Sequence, residues 1–352
     1  MTASGVTGRR RAAHPLARLL VRRLGAMVLL LLGISLVTFV LTSLVPGDPA
    51  RAALGPVQGE DEAAVAAWNS RNGLDKPIPV RYLVYLSNLL RGDLGVSQQT
   101  GTPVLDDLIA YIPATAELAI ISVLLASLIG VGLGVAAALR RDTLLDQVLR
   151  VVSLGGVSVP VFWLGLIVLY LGFFVFDLFP GGGRIDPLAI PPAEITHLYT
   201  LDALFAGDLA ATGAALHHLA LPAAVLAAYN IGYIARFTRT AVLEVINHDY
   251  VRAAHAKGLP ARTVVRRYVL RAALPSMIQI LGFAFAGVLT GAVLIEAIFS
   301  WPGIGGYAYR AAVSLDLPAI TGVTMFVAVV YISVNFVIDV LYGVIDPRIR
   351  AG

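Results

Sequence analysis

No cysteine occurs in the 352-residue chain, which excludes a disulfide framework, a thiolate metal site and a cysteine nucleophile. Charge is also scarce. Only 14% of residues are Asp, Glu, Lys or Arg, against about a quarter in ordinary soluble domains. No Gly-x-x-x-x-Gly-Lys-Ser/Thr stretch is present, so any ATP that drives this protein must be held by another chain. Gly-x-Ser-x-Gly elbows and His-Glu-x-x-His pairs are missing as well, which leaves an enzyme reading without a catalytic pair. The cluster Gly130, Gly132, Gly134 lies inside an apolar run without strand–helix context, so it is no nucleotide loop.

What the chain does have is apolar length: 58% of its residues are hydrophobic. Six runs lack Asp, Glu, Lys and Arg altogether: 24–47, 118–139, 151–176, 209–235, 272–295 and 317–338. Each is long enough to cross a bilayer, which takes about 20 helical residues. The fourth run begins in a weak Ala/Gly/His stretch, and its span is expected to start near Leu219. The first run exceeds the length of a signal-peptide core and reads as a retained span. An even number of spans puts both termini on one side. Of the basic residues, nineteen fall on the face holding the N-terminal segment, the 140–150 loop, the 236–271 segment and the tail, and seven fall opposite. The positive-inside rule then assigns both termini and the 236–271 segment to the cytoplasm. The expected fold is all-α: a polytopic membrane protein with six transmembrane helices.

The segments between the runs carry pattern of their own. In the long outer loop, Glu60, Asp61 and Glu62 open a helical stretch that ends at Asn72 and Gly73. Pro79 opens another, with Tyr82, Leu83, Leu86, Leu89 and Leu90 on one face, closed by Gly92. That stripe is expected to pack on the outer mouth of the spans, with a docking contact as the alternative. The second outer loop is irregular at its start, with Gly181 to Gly183, Pro187, Pro191 and Pro192. His217 and His218 point in different directions on a helix, so they read as a solvated helix start, not a metal site. Pairs of glycines four apart, Gly130/Gly134 and Gly287/Gly291, allow helices to approach closely. Glu296 and Asp339 lie at span edges, where an acid is by default a functional candidate. Asp339 favours a helix-end hydrogen bond or ion pair; Glu296 leaves structural and transport roles balanced.

The charged stretch 236–275 reads as two short helices joined by a turn and hung between spans, a hook shaped to dock on something. Asp249 can cap the first helix, Gly258 can end it in the left-handed conformation, and Lys257 meets the carbonyl end of its dipole. Pro260 opens the second. Ala253 and Ala254 are small enough for close approach, while Arg252, His255 and Lys257 supply polar contacts. A solvated basic loop near anionic lipid is the plain alternative.

With these residues in view, the chain resembles the integral membrane permease of binding-protein-dependent ABC importers, in the dipeptide/oligopeptide and nickel branch. The likeness runs nearly end to end through separate blocks. They are Arg22-Arg23-Leu24-Gly25, Val45-Pro46-Gly47-Asp48-Pro49, Gly73-Leu74-Asp75-Lys76-Pro77 and Gly92-Asp93-Leu94-Gly95-Val96-Ser97. Further on come Asp249-Tyr250-Val251-Arg252-Ala253-Ala254-His255-Ala256-Lys257-Gly258-Leu259, then Glu296-Ala297-Ile298-Phe299-Ser300-Trp301-Pro302-Gly303-Ile304-Gly305, then the end from Asp339 to Arg350. The resemblance implies that the hook is the Glu-Ala-Ala…Gly motif, whose helix fits a groove on an ATPase. Arg252 stands where that motif has Glu, and Tyr268-Val269-Leu270-Arg271-Ala272 departs from the usual His-x-Leu-Arg-Asn.

What the resemblance implies for the organisation is a basic cytoplasmic segment (1–23), a first span (24–47), an extracytoplasmic loop (48–114), a permease core (115–345) with the coupling loop 236–271, and a tail (346–352). The coupling residues are Asp249, Tyr250, Arg252, Ala253, Ala254, His255, Lys257, Gly258 and Leu259; candidates for the pathway or gate are Glu296, Phe299, Trp301, Pro302 and Gly303. This chain holds no cofactor or metal, ATP and magnesium sitting on partner subunits. Implied partners are two ABC ATPase subunits, a second homologous permease, an extracytoplasmic binding protein, a di- or oligopeptide and the lipid of a bacterial inner membrane, with no nucleic acid. Tyr233, Phe162 and Trp163 are further lining guesses. The alternative is a secondary transporter driven by an ion gradient, which needs an ion site near the bilayer centre, usually in broken helices. Pro160 and Pro222 could break spans, but no charged residue lies at the middle of any of the six.

Overall fold

The computed structural model describes residues 15–44, 50, 51, 54, 60–71, 75–191 and 195–345. The block at 45–49, Asn72, Gly73, Leu74, Pro192, residues 1–14 of the basic segment and the tail 346–352 lie outside the described residues. Among those described, the elements are helices: α1 (Pro15–Leu44), α2 (Glu62–Arg71), α3 (Ile78–Leu90), α4 (Val104–Leu139), α5 (Leu144–Ser158), α6 (Val161–Val175), α7 (Tyr199–Phe205), α8 (Leu209–Ile246), α9 (Asp249–Ala256), α10 (Ala261–Ile298), α11 (Ile304–Val313) and α12 (Leu317–Ile345). Among the described residues, five stretches are long and apolar enough to cross a membrane: Val21–Leu44, Val104–Leu139, Leu209–Ile246, Ala261–Ile298 and Leu317–Leu341. The shorter apolar α6 accompanies them. The chain is an all-α polytopic membrane protein.

Proline sets several of the starts. Pro77, Pro103, Pro160 and Pro260 each sit at the N-cap of α3, α4, α6 and α10, where a missing N–H costs no helical bond. Pro160 also corrects the third run. The sequence reads 151–176 as one span, but the helix breaks at Val159, whose backbone is extended (φ −90°, ψ 122°). The residue before a proline is pushed out of the α region by the ring, so α5 ends and α6 begins anew. Counting charges along the run could not show that break.

The core is a column between α4, α8 and α10. Both glycine pairs face α8. A Cβ on Gly134 would lie 2.6 Å from the Ala235 carbonyl oxygen, and one on Gly130 2.9 Å from Ile234. Gly287 and Gly291 bring α10 against Asn230 and Leu226. Buried clusters stack along this column, from Leu118, Leu226 and Phe299 through Ala126 and Ile234 to Val242, Val251 and Met277 at the hook. Helix α1 lies outside it against α12 and α3. Of the hydrogen bond or ion pair expected of Asp339, the structure shows an ion pair, 2.8 Å from Arg23. Helix α3 meets α1 through Tyr82 of the stripe and through Tyr85 beside it: the Ser35 and Tyr82 hydroxyls are 2.9 Å apart, and the Phe39 ring packs on Tyr82 and Tyr85. Leu83 and Leu90 of the same stripe stay exposed.

Candidate functional site

The hook is built differently at each end. His248, in extended backbone (φ −69°, ψ 147°), occupies the N-cap of α9 without a side-chain hydrogen bond. Its carbonyl accepts from the N–H groups of Val251 and Arg252. Asp249 is therefore not the cap, as the sequence suggested, but the first helical residue; its exposed carboxylate sits 3.4 Å from Arg252 Nη1 and favours the helix N-terminus through the dipole. At the other end the glycine rule holds. Gly258 has φ +74°, its N–H donates to the His255 carbonyl (2.9 Å), and the Leu259 N–H donates to that of Ala254 (3.3 Å). Those two bonds form a Schellman motif, which satisfies the last carbonyls of α9.

The two short helices of the sequence reading become one. Residues 236–246 are the last turns of α8, and only α9 is short. After Pro260 the chain enters α10 and runs, through a π-helical turn at Val265–Val269, directly into the long helix. Nothing in the local charge pattern marks that continuity.

The faces of α9 also differ from expectation. Ala254, only 4% exposed, and Val251 point into the chain's own cluster with Val242, Val245, Val264, Val269 and Met277. Tyr250, Arg252, Ala253, His255, Ala256, Lys257 and Gly258 are exposed, and Leu259 is half-buried. Of the two adjacent alanines, Ala253 is free for contact and Ala254 is an anchor. A helix presents neighbours 100° apart, so they could not both face outward from a helix seated on its cluster.

Far from the hook along α10, Glu296 closes a turn. It is 1% exposed, accepts from the Thr115 hydroxyl (2.6 Å) and from the Gly306 N–H (2.9 Å), while the Thr115 oxygen accepts from the Ile304 N–H (2.8 Å). Trp301 donates from Nε1 to the Ala114 carbonyl (2.8 Å). A Cβ on Gly303 would fall 2.3 Å from the Glu296 carboxylate, and one on Gly305 2.9 Å from it. The glycines of this block thus let the backbone wrap around a buried acid. Phe299 and Trp301 are buried with it, Gly303 lies against it, and Pro302 alone among the gate candidates is exposed. Phe162 and Trp163 are exposed on α6; Tyr233 packs on Phe237 at 4.6 Å.

Sequence reasoning missed two further polar centres. Glu117, immediately ahead of the second run, is 4% exposed and pairs with Arg184, 8% exposed, at 2.6 Å. Its other oxygen accepts from the Thr200 N–H (2.7 Å), and the Arg184 guanidinium lies 3.6 Å from the Tyr199 ring centroid. Nearby, Asp202 is buried and accepts from the backbone and hydroxyl of Thr196. Burial works to raise its carboxyl, but donors from Thr196, Ile195 and His197 outweigh that and leave it below the usual value. The second centre is Asp146 on α5, fully buried, bound by the Arg239 guanidinium (Nη2 at 2.9 Å), by Arg150 (3.0 Å) and by the Asp142 N–H (3.1 Å). The Arg239 hydrogen bonds, working against burial, hold its carboxyl at about 2. The one available signal was an acid placed beside an apolar run.

His217 and His218 do not begin a helix; α8 starts at Leu209. Each instead donates to a carbonyl of the preceding loop, His217 to Leu178 (2.7 Å) and His218 to Gly182 (3.1 Å).

Comparison with known proteins covers nearly all of this architecture. The family model for the binding-protein-dependent transport system inner membrane component matches residues 130–351. A second, for the N-terminal part of such membrane components, matches residues 16–119. A probable D,D-dipeptide transport system permease protein of Escherichia coli K12 is 43% identical over 331 residues, covering 94% of this chain and 97% of that protein. A di/tripeptide transport system permease protein of Pseudomonas aeruginosa is 41% identical over 330 residues, with 94% and 97% covered. A dipeptide transport system permease protein of Alkalihalophilus pseudofirmus is 36% identical over 329 residues, with 94% and 98% covered.

Proposed function

We propose, from the premise that this chain belongs to the family of binding-protein-dependent transport system inner membrane components, that it forms half of the pathway through which an ATP-driven importer admits di- or oligopeptides. The observation that carries the substrate class is the set of relatives named for dipeptide transport and aligned over 94% of this chain. An extracytoplasmic binding protein delivers the peptide. Two ATPase subunits supply ATP and magnesium, and a second, homologous permease completes the pore.

The hook is the ATPase contact. Charge supports its placement on the cytoplasmic side together with both termini, and the exposed face Tyr250, Arg252, Ala253, His255 and Lys257 is the surface offered. Closure of the ATPase pair on ATP draws α9 with it, and the pathway opens outward to the loaded binding protein. Hydrolysis and release reverse the tilt. On this reading, Glu296, Phe299, Trp301 and Gly303 brace the outer end of the subunit from within, and Pro302 lies at its surface. Proposed boundaries follow the same plan: the basic segment 1–23, the span 24–47, the loop 48–114, the core 115–345 and the tail 346–352.

The test is reconstitution of the complete complex in proteoliposomes with a labelled dipeptide. Uptake that needs ATP, the binding protein and the ATPase subunits is the expected result. Uptake driven by an ion gradient without ATP would overturn the proposal in favour of a secondary carrier.

A further inference from the structure

Helix α5 packs chiefly on α8. Leu144, Val148, Val151 and Val152 on it are exposed, and a cavity of about 650 Å³ opens between it and α8, lined in part by Leu133, Leu145, Val148, Tyr229 and Ile231. At its C-terminal end the chain breaks at Val159 and Pro160, so α5 is not a rigid extension of α6. Several ties hold α5 to α8. Asp146 takes the Arg239 guanidinium through both carboxylate oxygens, Leu149 joins a small cluster with Ala137 and Ala235, and Ser153 meets Gly232 where a Cβ would stand 3.1 Å from the Ser153 Cα. Beyond Arg239, α8 reaches the hook across only Asn247 and His248.

The Asp146 side chain is buried beneath its two arginines, and a bidentate guanidinium fixes direction as well as distance. Arg150 and the Asp142 N–H complete the set of donors around Asp146. This buried pair lies on the seam where α5 meets the rod carrying the hook, nearer the hook than the Leu149 and Ser153 contacts, and is placed to transmit force.

We propose that the Arg239–Asp146 pair is the joint through which movement of α9 reaches α5, so that α5, α8 and α9 travel as one body during transport. This rests on the ATPase contact proposed for α9. Asp146 and Arg239 are then positioning residues for transport.

The chain's lack of cysteine makes a direct test available. A Cβ on Gly232 would lie 3.5 Å from the Ser153 Cβ, within the range a disulfide spans, so Ser153→Cys with Gly232→Cys can lock the seam covalently. Uptake and ATP hydrolysis are measured in parallel in the complete complex. With Asp146→Asn, peptide carried per ATP hydrolysed is expected to fall tenfold or more while the complex still assembles, and oxidising the cysteine pair in that variant is expected to restore at least half. In the otherwise natural chain the oxidised pair is expected to leave uptake intact. Normal coupling in Asp146→Asn, or loss of uptake on oxidation of the natural chain's cysteine pair, would overturn the proposal. Should Asp146→Asn fail to accumulate, the cross-linked natural chain decides alone, because helices that slide past each other cannot work when locked. Absence of ATP-driven uptake in the unmodified complex would instead sink the importer reading.

Discussion

Leucine placed at Ala253 and at Ala254 should give opposite results, although the two positions are adjacent. Ala254 is 4% exposed and its neighbours Val251, Val264, Val269 and Met277 are buried around it. Three extra carbons there must displace packed atoms, which costs about 1–3 kcal/mol. Ala253 is exposed, and leucine is nearly as good a helix former as alanine, so Ala253→Leu should change stability by less than about 0.5 kcal/mol. Its effect belongs at the contact: a bulky side chain at the centre of the exposed face should keep the ATPase groove from closing on α9. The assay has two arms. Thermal unfolding of the detergent-solubilised chain should show a lower midpoint for Ala254→Leu and none of that loss for Ala253→Leu. Co-purification of ATPase chains and ATP-driven uptake should fail for Ala253→Leu. Full uptake with Ala253→Leu would refute the docking face, and unchanged stability with Ala254→Leu would refute the packing beneath it.

Gly258→Pro should abolish uptake with normal membrane accumulation, because it removes the N–H that reaches His255 and cannot adopt φ +74°; Gly258→Ala, with no atom within 4 Å of the new Cβ, should show only a backbone strain of about 1–2 kcal/mol in the same melting assay. Gly134→Ala should destabilise by about 1–3 kcal/mol through its clash with the Ala235 carbonyl, whereas Gly132→Ala, open on all sides, should not lower the melting midpoint. Glu117→Ala leaves Arg184 buried and uncompensated, a loss of about 3–5 kcal/mol, to be read as faster hydrogen exchange across residues 184–202. The Asp146 pair should respond only to strong acid. Its folded carboxyl titrates at about 2 and its unfolded one at 3.8, so its stabilisation is complete above the higher value and lost as pH falls through the lower. The gap in melting midpoint between the natural chain and Asp146→Asn should stay constant from pH 5 to 8 and shrink below pH 4; a gap that closes near neutrality would contradict the buried pair.

What the sequence made legible were features governed by near neighbours. Gly258 and Pro260 mark the end of α9 and the start of α10 because turn chemistry is local. The glycine pairs announced close packing, and Asp339 announced a helix-end hydrogen bond or ion pair. What stayed hidden depends on distance along the chain. Glu117 and Arg184 are 67 residues apart, Asp146 and Arg239 93, Thr115 and Glu296 181. No periodicity links such positions before the helices are packed. The sharper lesson lies at Val159 and Pro160, where the proline was visible and its effect on the preceding residue was outvoted by an unbroken apolar run. Similarly, Asp249 had the right chemistry for a cap but sat one residue too late.

The 38 residues of α8 make a rod about 57 Å long, nearly twice the roughly 30 Å of a bilayer's hydrocarbon layer. Toward one end His217 and His218 hold the 177–183 loop; toward the other lies Arg239, and the helix leads on into α9. A tilt of about 10° around the middle of such a rod swings its two ends about 5 Å in opposite directions, while atoms at the pivot hardly stir. Gly287 and Gly291 of α10 meet α8 near that middle, at Asn230 and Leu226, so this close contact can stay tight while both ends travel. On the proposed importer reading, inward pull on the hook and outward swing of the far loop would be one seesaw stroke, setting the two sides of the membrane against each other by leverage.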